Sequence, residues 1–300
     1  YAPHEIIPPE TKILRYNFGK LFHARSKRFN LETIIRLSFA LSIFSLMICW
    51  EYLSPRRQQS VTRLKRWPIN IGLAMFNMAL MRVTVGGIAY LSAVNAENQS
   101  WGLLNQFVIS DWLSIAASLL FLDFAIYCQH IISHKWKLLW RLHQIHHTDI
   151  EIDATTAVRF HPLEIIISMF YKVACVYLIG ADPMAVIAFE IILNGTATFN
   201  HSNINLPLKV DKVLRWLVIT PDVHRIHHST IQSETDSNYG FSISLWDRLF
   251  KTYVAEPEKT QTTLDIGLSQ YRDQNKLGFI NLLLLPFRNP LRNNNKSKRQ

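Results

Sequence analysis

Hydrophobic and polar stretches alternate along the chain on a scale of about 20 residues, the helix length that crosses the hydrocarbon core of a bilayer. Residues 1–33 are polar and basic, with Lys12, Arg15, Lys20, Arg25, Lys27 and Arg28. The first apolar run follows: residues 37–50 carry no charge, and Ile34 and Ile35 extend the run. A basic loop with Arg56, Arg57, Arg63, Lys65 and Arg66 separates it from a second run, 69–91, broken only by Arg82. Residues 92–106 are polar and hold no Lys or Arg. A third run covers 107–129, with Asp111 near its start and Asp123 within it. The positive-inside rule puts 54–66 in the cytoplasm and 92–106 outside, so the third helix delivers His130 to the cytoplasmic side. The same topology leaves the basic segment 1–33 outside, against the rule.

A second apolar pair is shorter. Residues 165–181 and 184–199 flank a turn at Gly180-Ala181-Asp182-Pro183, and each arm reaches roughly 25 Å. The pattern predicts a helical hairpin that enters and leaves on one side. Lys172 and Glu190 lie at similar distances from the turn. Unpaired charges in hydrocarbon are costly, so they are expected to pair across the hairpin or to face the protein interior. The competing expectation is that each finds a separate partner. Residues 203–260 return to mixed polarity. The predicted fold is all-α: an integral membrane helical bundle with a cytoplasmic, histidine-rich helical cap. Its parts are a basic N-terminal segment (1–33), a membrane-embedded domain (34–260) and a polar, basic C-terminal tail (261–300).

Composition agrees. Of 300 residues, 49% are hydrophobic and 18% charged, against roughly 25% charged in ordinary soluble domains. That excludes a disordered chain and a small disulfide scaffold. The net charge of +10 suits anionic headgroups and cytoplasmic loops. The basic residues flank apolar segments rather than forming one stripe, so no nucleic-acid partner is expected. Cys49, Cys128 and Cys175 are isolated in apolar sequence and read as small core hydrophobes.

Histidine changes the picture. Ten of the 12 histidines lie between His130 and His228. They form His130-x3-His134, His143-x2-His146-His147 and His224-x2-His227-His228, with His161 and His201 between. Spacings of three and four put side chains on one helix face, and imidazole binds iron, zinc and copper without needing a negative charge. A lone i, i+4 pair is commonly incidental; two HxxHH triplets and an HxxxH in one short stretch are not. Eight motif histidines plus His201 exceed what one tetrahedral zinc can use, and two metals are the economical reading. An HExxH protease would need a Glu where Gln144 stands. A metal transporter or a di-zinc lipid hydrolase could use the same histidines. Transporters place ligands at mid-membrane depth, whereas these clusters lie beyond the apolar runs.

Three further residues invite roles. His161 is a further ligand or a partner of the ligands. Asp222 could orient a ligating imidazole, as outer carboxylates do, or cap a helix beside Pro221. Asp123, ionisable inside a membrane run, is functional by default, against a packing role.

At this level of detail the sequence resembles the fatty acid hydroxylase/sterol desaturase superfamily of integral-membrane, non-haem di-iron enzymes, in its bacterial sterol desaturase-like branch. Asp123-x3-Tyr127-x2-His130-x3-His134 matches the first histidine box, and Trp140-Arg141-Leu142-His143-Gln144-Ile145-His146-His147 the second. Similar too are Thr155-Thr156-Ala157-Val158-Arg159-Phe160-His161-Pro162-Leu163-Glu164, Asn200-His201-Ser202-Asn203 and Thr220-Pro221-Asp222-Val223-His224-Arg225-Ile226-His227-His228. The likeness covers about residues 50–255; Ile131 and Lys251 depart from the usual pattern, neither at a ligand position. The resemblance implies two Fe ions held by His130, His134, His143, His146, His147, His201, His224, His227 and His228. It implies catalytic neighbours at Asp123, Tyr127, His161 and Asp222. It implies a cytoplasm-facing site using O2 as co-substrate to hydroxylate or desaturate a sterol or fatty acyl lipid drawn from the bilayer. Electrons would come from an external electron-transfer protein of cytochrome b5, ferredoxin or reductase type, since the chain has no haem-attachment, ferredoxin or GxGxxG motif.

Overall fold

A computed structural model describes residues 34–84 and 87–288. The expectations for residues 1–33 and for the polar end of the chain lie outside them. Among the described residues the structure is helical, with isolated bridges and no strand. In chain order come α1 (Ile34–Leu53), α2 (Arg63–Thr84), α3 (Ile88–Asn98), α4 (Asp111–Lys135), α5 (Lys137–His147), α6 (Pro162–Ile179), α7 (Pro183–His201), α8 (Leu208–Leu214) and α9 (Pro221–His227). Four segments are long and apolar enough to cross a membrane: α1, the stretch Arg63–Asn98 containing α2 and α3, α4 and α6. The chain is an all-α integral membrane protein.

The hairpin expected from the second apolar pair is α6 and α7. Pro162 and Pro183 occupy first-turn positions, where a missing N–H costs nothing. His161 caps α6 by accepting from the Leu163 N–H, and Asp182 caps α7 by accepting from Met184 and Ala185. Gly180 ends α6 at φ +69°, and a Cβ there would meet the Trp101 carbonyl at 2.7 Å, so the close approach needs glycine. This turn packs against residues 101–105 and against Ser118, two turns into α4, whose hydroxyl accepts from the Asp182 N–H. It therefore lies at the end remote from the histidines. Lys172 Nζ donates to Glu190 Oε1 at 3.0 Å, and Arg36 of α1 pairs with the other Glu190 oxygen. The paired-charge expectation holds, with α1 as a second partner.

α7 lies inside the bundle and is not itself among the segments apolar enough to span. Its polar residues bond within the protein: Asn194 to the Glu190 carbonyl, Asn200 to the Phe241 carbonyl. Ala89, Ala93, Leu122, Val176, Val186 and Phe189 join α3, α4, α6 and α7 in one core.

The stretch read as a polar tail from residue 261 instead packs onto the cap as far as residue 287. Leu264 and Ile266 bury with Ile152, while Leu277, Leu282 and Leu285 close over Leu73 and Ile145. The polar average of the stretch hides a short apolar run, 279–285, that is enough to dock it.

Candidate metal centre

The centre forms where the ends of α4 and α7 meet α5 and α9. Its histidines fall into two buried groups, His130, His134, His143, His147 and His227 in one and His146, His201, His224 and His228 in the other. Within each group the ligand atoms lie within 4.8 Å of one another. Successive helix residues point about 100° apart, so the adjacent histidines closing each HxxHH motif diverge. In α5, His143 and His147 enter the five-histidine group and His146 the other. In α9 the pattern inverts: His224 and His228 enter the four-histidine group and His227 the other. The His147 and His228 rings stack at 4.4 Å, and there the two groups abut.

Four of the outer nitrogens are hydrogen-bonded by the protein. His130 Nδ1 donates to the Tyr239 carbonyl at 2.7 Å, His227 Nδ1 to the Ser237 carbonyl at 2.7 Å, and His201 Nδ1 to the Ala197 carbonyl at 2.7 Å. His143 Nδ1 donates to Glu164 Oε1 at 2.6 Å, and His134 Nδ1 lies 3.7 Å from Asp236 Oδ1. The four hydrogen bonds fix the tautomer of their rings and leave a bare lone pair on Nε2. The inner atoms have no partner. Nε2 of His130, His134, His143 and His227, and both ring nitrogens of His147 and His228, are buried without a hydrogen bond. His201 Nε2 has one lone pair, yet it faces His146 Nε2 at 2.9 Å and His224 Nε2 at 3.0 Å. Orphaned buried nitrogens are costly unless something binds them. Convergent buried imidazoles, four of them with the outer nitrogen already engaged, fit one metal ion per group.

Electrostatics favours the ligating form. Burial, reinforced by neighbouring imidazoles, drives His146, His147, His224 and His228 well below the ordinary imidazole range. Burial pushes His227 down to about 3. All five rings are thus neutral at pH 7, as coordination requires.

A polar network behind α5 fixes its ligand-bearing end. Arg66 of α2 donates to both Asp149 oxygens at 2.7 and 2.8 Å and to Asp153 at 2.7 Å. Although burial opposes it, the Arg66 guanidinium, with bonds from Arg66 and Asn70, holds the Asp149 carboxyl down at about 2. Arg159 donates to the Ile145 carbonyl, to Asn70 and to Thr148. The loop after His147 is therefore tied to α2 by buried, mutually satisfied charges.

The four residues singled out as catalytic neighbours sit elsewhere. Tyr127 packs against Phe124 and Phe250, its hydroxyl 2.9 Å from Thr252 Oγ1. Asp123 accepts from Trp246 Nε1 at 2.8 Å. Asp222 is clamped by Arg56 and Arg225 and joins α9 to the loop after α1. His161 spends both nitrogens outside the centre, one on its capping bond and one toward the Leu283 carbonyl at 3.2 Å. The carboxylate that orients a histidine is Glu164, one turn beyond His161. The signal was its place one turn into a helix whose N-terminus meets α5. Tyr239, in an Asn238-Tyr239-Gly240 stretch that also fits the resemblance, and Asp236 meet the histidines across segments remote in sequence, which spacing does not reveal.

Comparison with known proteins finds relatives of the sequence. The chain is 24% identical over 262 residues to the ornithine lipid hydroxylase OlsE of Rhizobium tropici, covering 82% of this chain and 74% of that protein. It is 33% identical over 138 residues to the alkylglycerol monooxygenase of Xenopus tropicalis and 32% over 142 residues to that of Homo sapiens. Each of these alignments covers 46% of this chain and 30% of the relative, so the likeness to them spans under a third of their length. It is 26% identical over 140 residues to a cholesterol 25-hydroxylase-like protein of Danio rerio, covering 46% of this chain and 54% of that protein. No solved structure matches the chain. The family model described as fatty acid hydroxylase matches residues 115–252. That span holds all nine clustered histidines, and it is similar to fatty acid hydroxylase domains.

Proposed function

We propose that the protein is a membrane-bound di-iron oxidoreductase that uses O2 to hydroxylate a C–H bond of a lipid. The carrying observation is the pair of abutting, buried, all-imidazole groups at the ends of apolar helices. Bound there, iron supplies the oxidising power for an unactivated C–H bond when fed O2 and electrons. The chain's own residues do the rest. The carbonyls of Tyr239, Ser237 and Ala197 and the Glu164 carboxylate aim the rings, and burial keeps bulk water from the centre. The relatives' names favour hydroxylation over desaturation and a lipid over a soluble substrate. Electrons come from an external electron-transfer protein of cytochrome b5, ferredoxin or reductase type. The basic loop between α1 and α2 supports a cytoplasmic site.

The metal-transport and di-zinc hydrolase readings are weaker. His130 and His134 lie in the last two turns of α4 rather than at mid-span, where a transporter would hold its cargo. The test supplies membranes bearing the protein with isotopically labelled O2, a reductant and reductase, and total lipid. Label in a lipid hydroxyl, lost in His147→Ala, is the expected result. Lipid cleavage without O2 uptake would replace the reading by hydrolysis. For orientation, Gln58→Cys should resist and Gln99→Cys accept an impermeant thiol reagent from outside; the reverse refutes the cytoplasmic site.

A further inference from the structure

We infer that a cleft between α4 and α6 holds the hydrocarbon chain of the substrate and leads it to the five-histidine group. The inference rests on the lipid-oxidising function proposed above. The cleft has a volume of about 400 Å³ and is lined by Phe121, Phe124 and Cys128 of α4 and Tyr171, Ala174 and Leu178 of α6, among others. Such a volume falls in the roughly 300–1,000 Å³ range of small-molecule sites. Spacings of three and four make each set one stripe on its helix. Each stripe rises about 10 Å, enough for a stretch of about eight extended carbons.

Depth identifies the occupant. Exposed Trp112 and Trp136 stand at the two ends of α4, where amphipathic rings mark the headgroup levels. The cleft lies between them, at mid-helix. Around its mouth Leu120, Phe170 and Leu178 are exposed, so what meets it is the hydrocarbon of the bilayer. Its lining offers little to a headgroup: the Tyr171 hydroxyl already donates to the Ala125 carbonyl at 3.0 Å. An apolar chain gains contacts there without stranding a polar atom.

Direction links the cleft to the centre. Cys128, at its inner end, is two residues before His130. On α6 the stripe continues one turn at a time from Tyr171 to Ser168 and then to Glu164, which holds His143. On the histidine side of the cleft the two helices are joined by a neutral hydrogen bond, Ser168 Oγ to Gln129 Oε1 at 3.2 Å. Such a bond contributes modestly to stability, so parting it is an inexpensive way through. A chain threaded past this pair reaches the His130 and His143 edge of the five-histidine group, and the length left in the cleft sets which carbon arrives there.

The test uses the full chain in phosphatidylcholine vesicles doped with a phospholipid carrying a diazirine on its acyl chain, with mass-spectrometric mapping after illumination. Cross-links are expected on residues 121–128 and 171–178 in excess of other bilayer-facing residues. Ala174→Trp and Leu178→Trp alter exposed positions and should keep the metal content. Each should cut both the cleft cross-link and the turnover of long-chain lipid by about tenfold or more. Cross-links spread evenly over the exposed faces of α1, α2 and α4, and unchanged in both variants, would overturn the inference. So would turnover unaltered in both variants; the lipid-oxidising function would then stand without this cleft. Cleft cross-links with no oxidised lipid from any preparation would support the cleft and sink the oxidase reading instead.

Discussion

Glu164→Ala offers the sharpest probe of how the centre is built. The carboxylate meets His143 Nδ1 at 2.6 Å, a separation in the range of charge-assisted bonds. Hydrogen bonds to charged groups contribute about 1.5–3 kcal/mol, and at about 1.4 kcal/mol per decade that is roughly a 10- to 150-fold change in affinity. Losing outer partners of metal-bound histidines commonly costs about 10–100-fold, which overlaps. Glu164→Ala should therefore weaken one metal, that of the five-histidine group, by one to two orders of magnitude and spare the other. Glu164→Gln keeps an oxygen acceptor and loses the charge, so a smaller loss is expected. Purified protein would be titrated against a chelating dye of known affinity, with metal stoichiometry measured independently. His161→Ala is the control, since it disturbs the same helix start by removing the capping bond to Leu163 but spends neither nitrogen on the centre. Two metals bound with unchanged affinity in Glu164→Ala would refute the orienting role. Equal losses in His161→Ala would reassign the effect to the helix terminus.

Three further outcomes are expected. His147→Ala and His146→Ala, one residue apart, should weaken different sites, each leaving about one tightly held metal per chain; loss of both metals from each variant, measured by elemental analysis, would argue for one shared site. Arg66→Met leaves Asp149 and Asp153 without their buried partner and should destabilise the fold by about 3–5 kcal/mol, read by unfolding in detergent; an unchanged midpoint would count against the network. The metal-stripped protein should lose stability as pH falls below the ordinary imidazole value of 6.5, because the unfolded chain takes up protons that the buried His227, held down at about 3, refuses; an unfolding midpoint that is flat from pH 7 to pH 5 would contradict this.

The sequence made the bundle and the ligands legible for different reasons. Long uncharged runs could only be satisfied as helices in lipid, and the Asp182-Pro183 turn, with Lys172 and Glu190 equidistant from it, made the hairpin readable. The histidines stood out because i, i+3, i+4 spacing has one geometric meaning on a helix. What stayed hidden depends on contacts between distant segments. Arg36 reaches Glu190 across 154 positions, Tyr239 meets His130 across 109, and Leu277 closes over Ile145; no local pattern announces these. Asp222 shows the converse error. A carboxylate two residues before a ligand suggests an orienting role, but on a helix that offset turns it to the far side of the ligand. There it meets Arg56 and Arg225.

The same geometry explains why the motif makes two sites rather than one large one. In HxxHH the first and last rings lie about 40° apart around the axis, and the middle one falls about 100° from its neighbour. Adjacent rings of one helix diverge, and here each motif sends two ligands one way and one the other. Setting α5 against α9 with the assignments inverted lets each group draw a pair from one helix and a single ring from the other. That gives three ligands apiece. α4 adds the His130 and His134 pair to one side, and α7 adds His201 to the other. The inequality between the sites thus follows from which helix end is nearest. The larger group takes its extra pair from α4, the helix that lines the cleft, so a chain arriving from the bilayer meets the five-histidine group first.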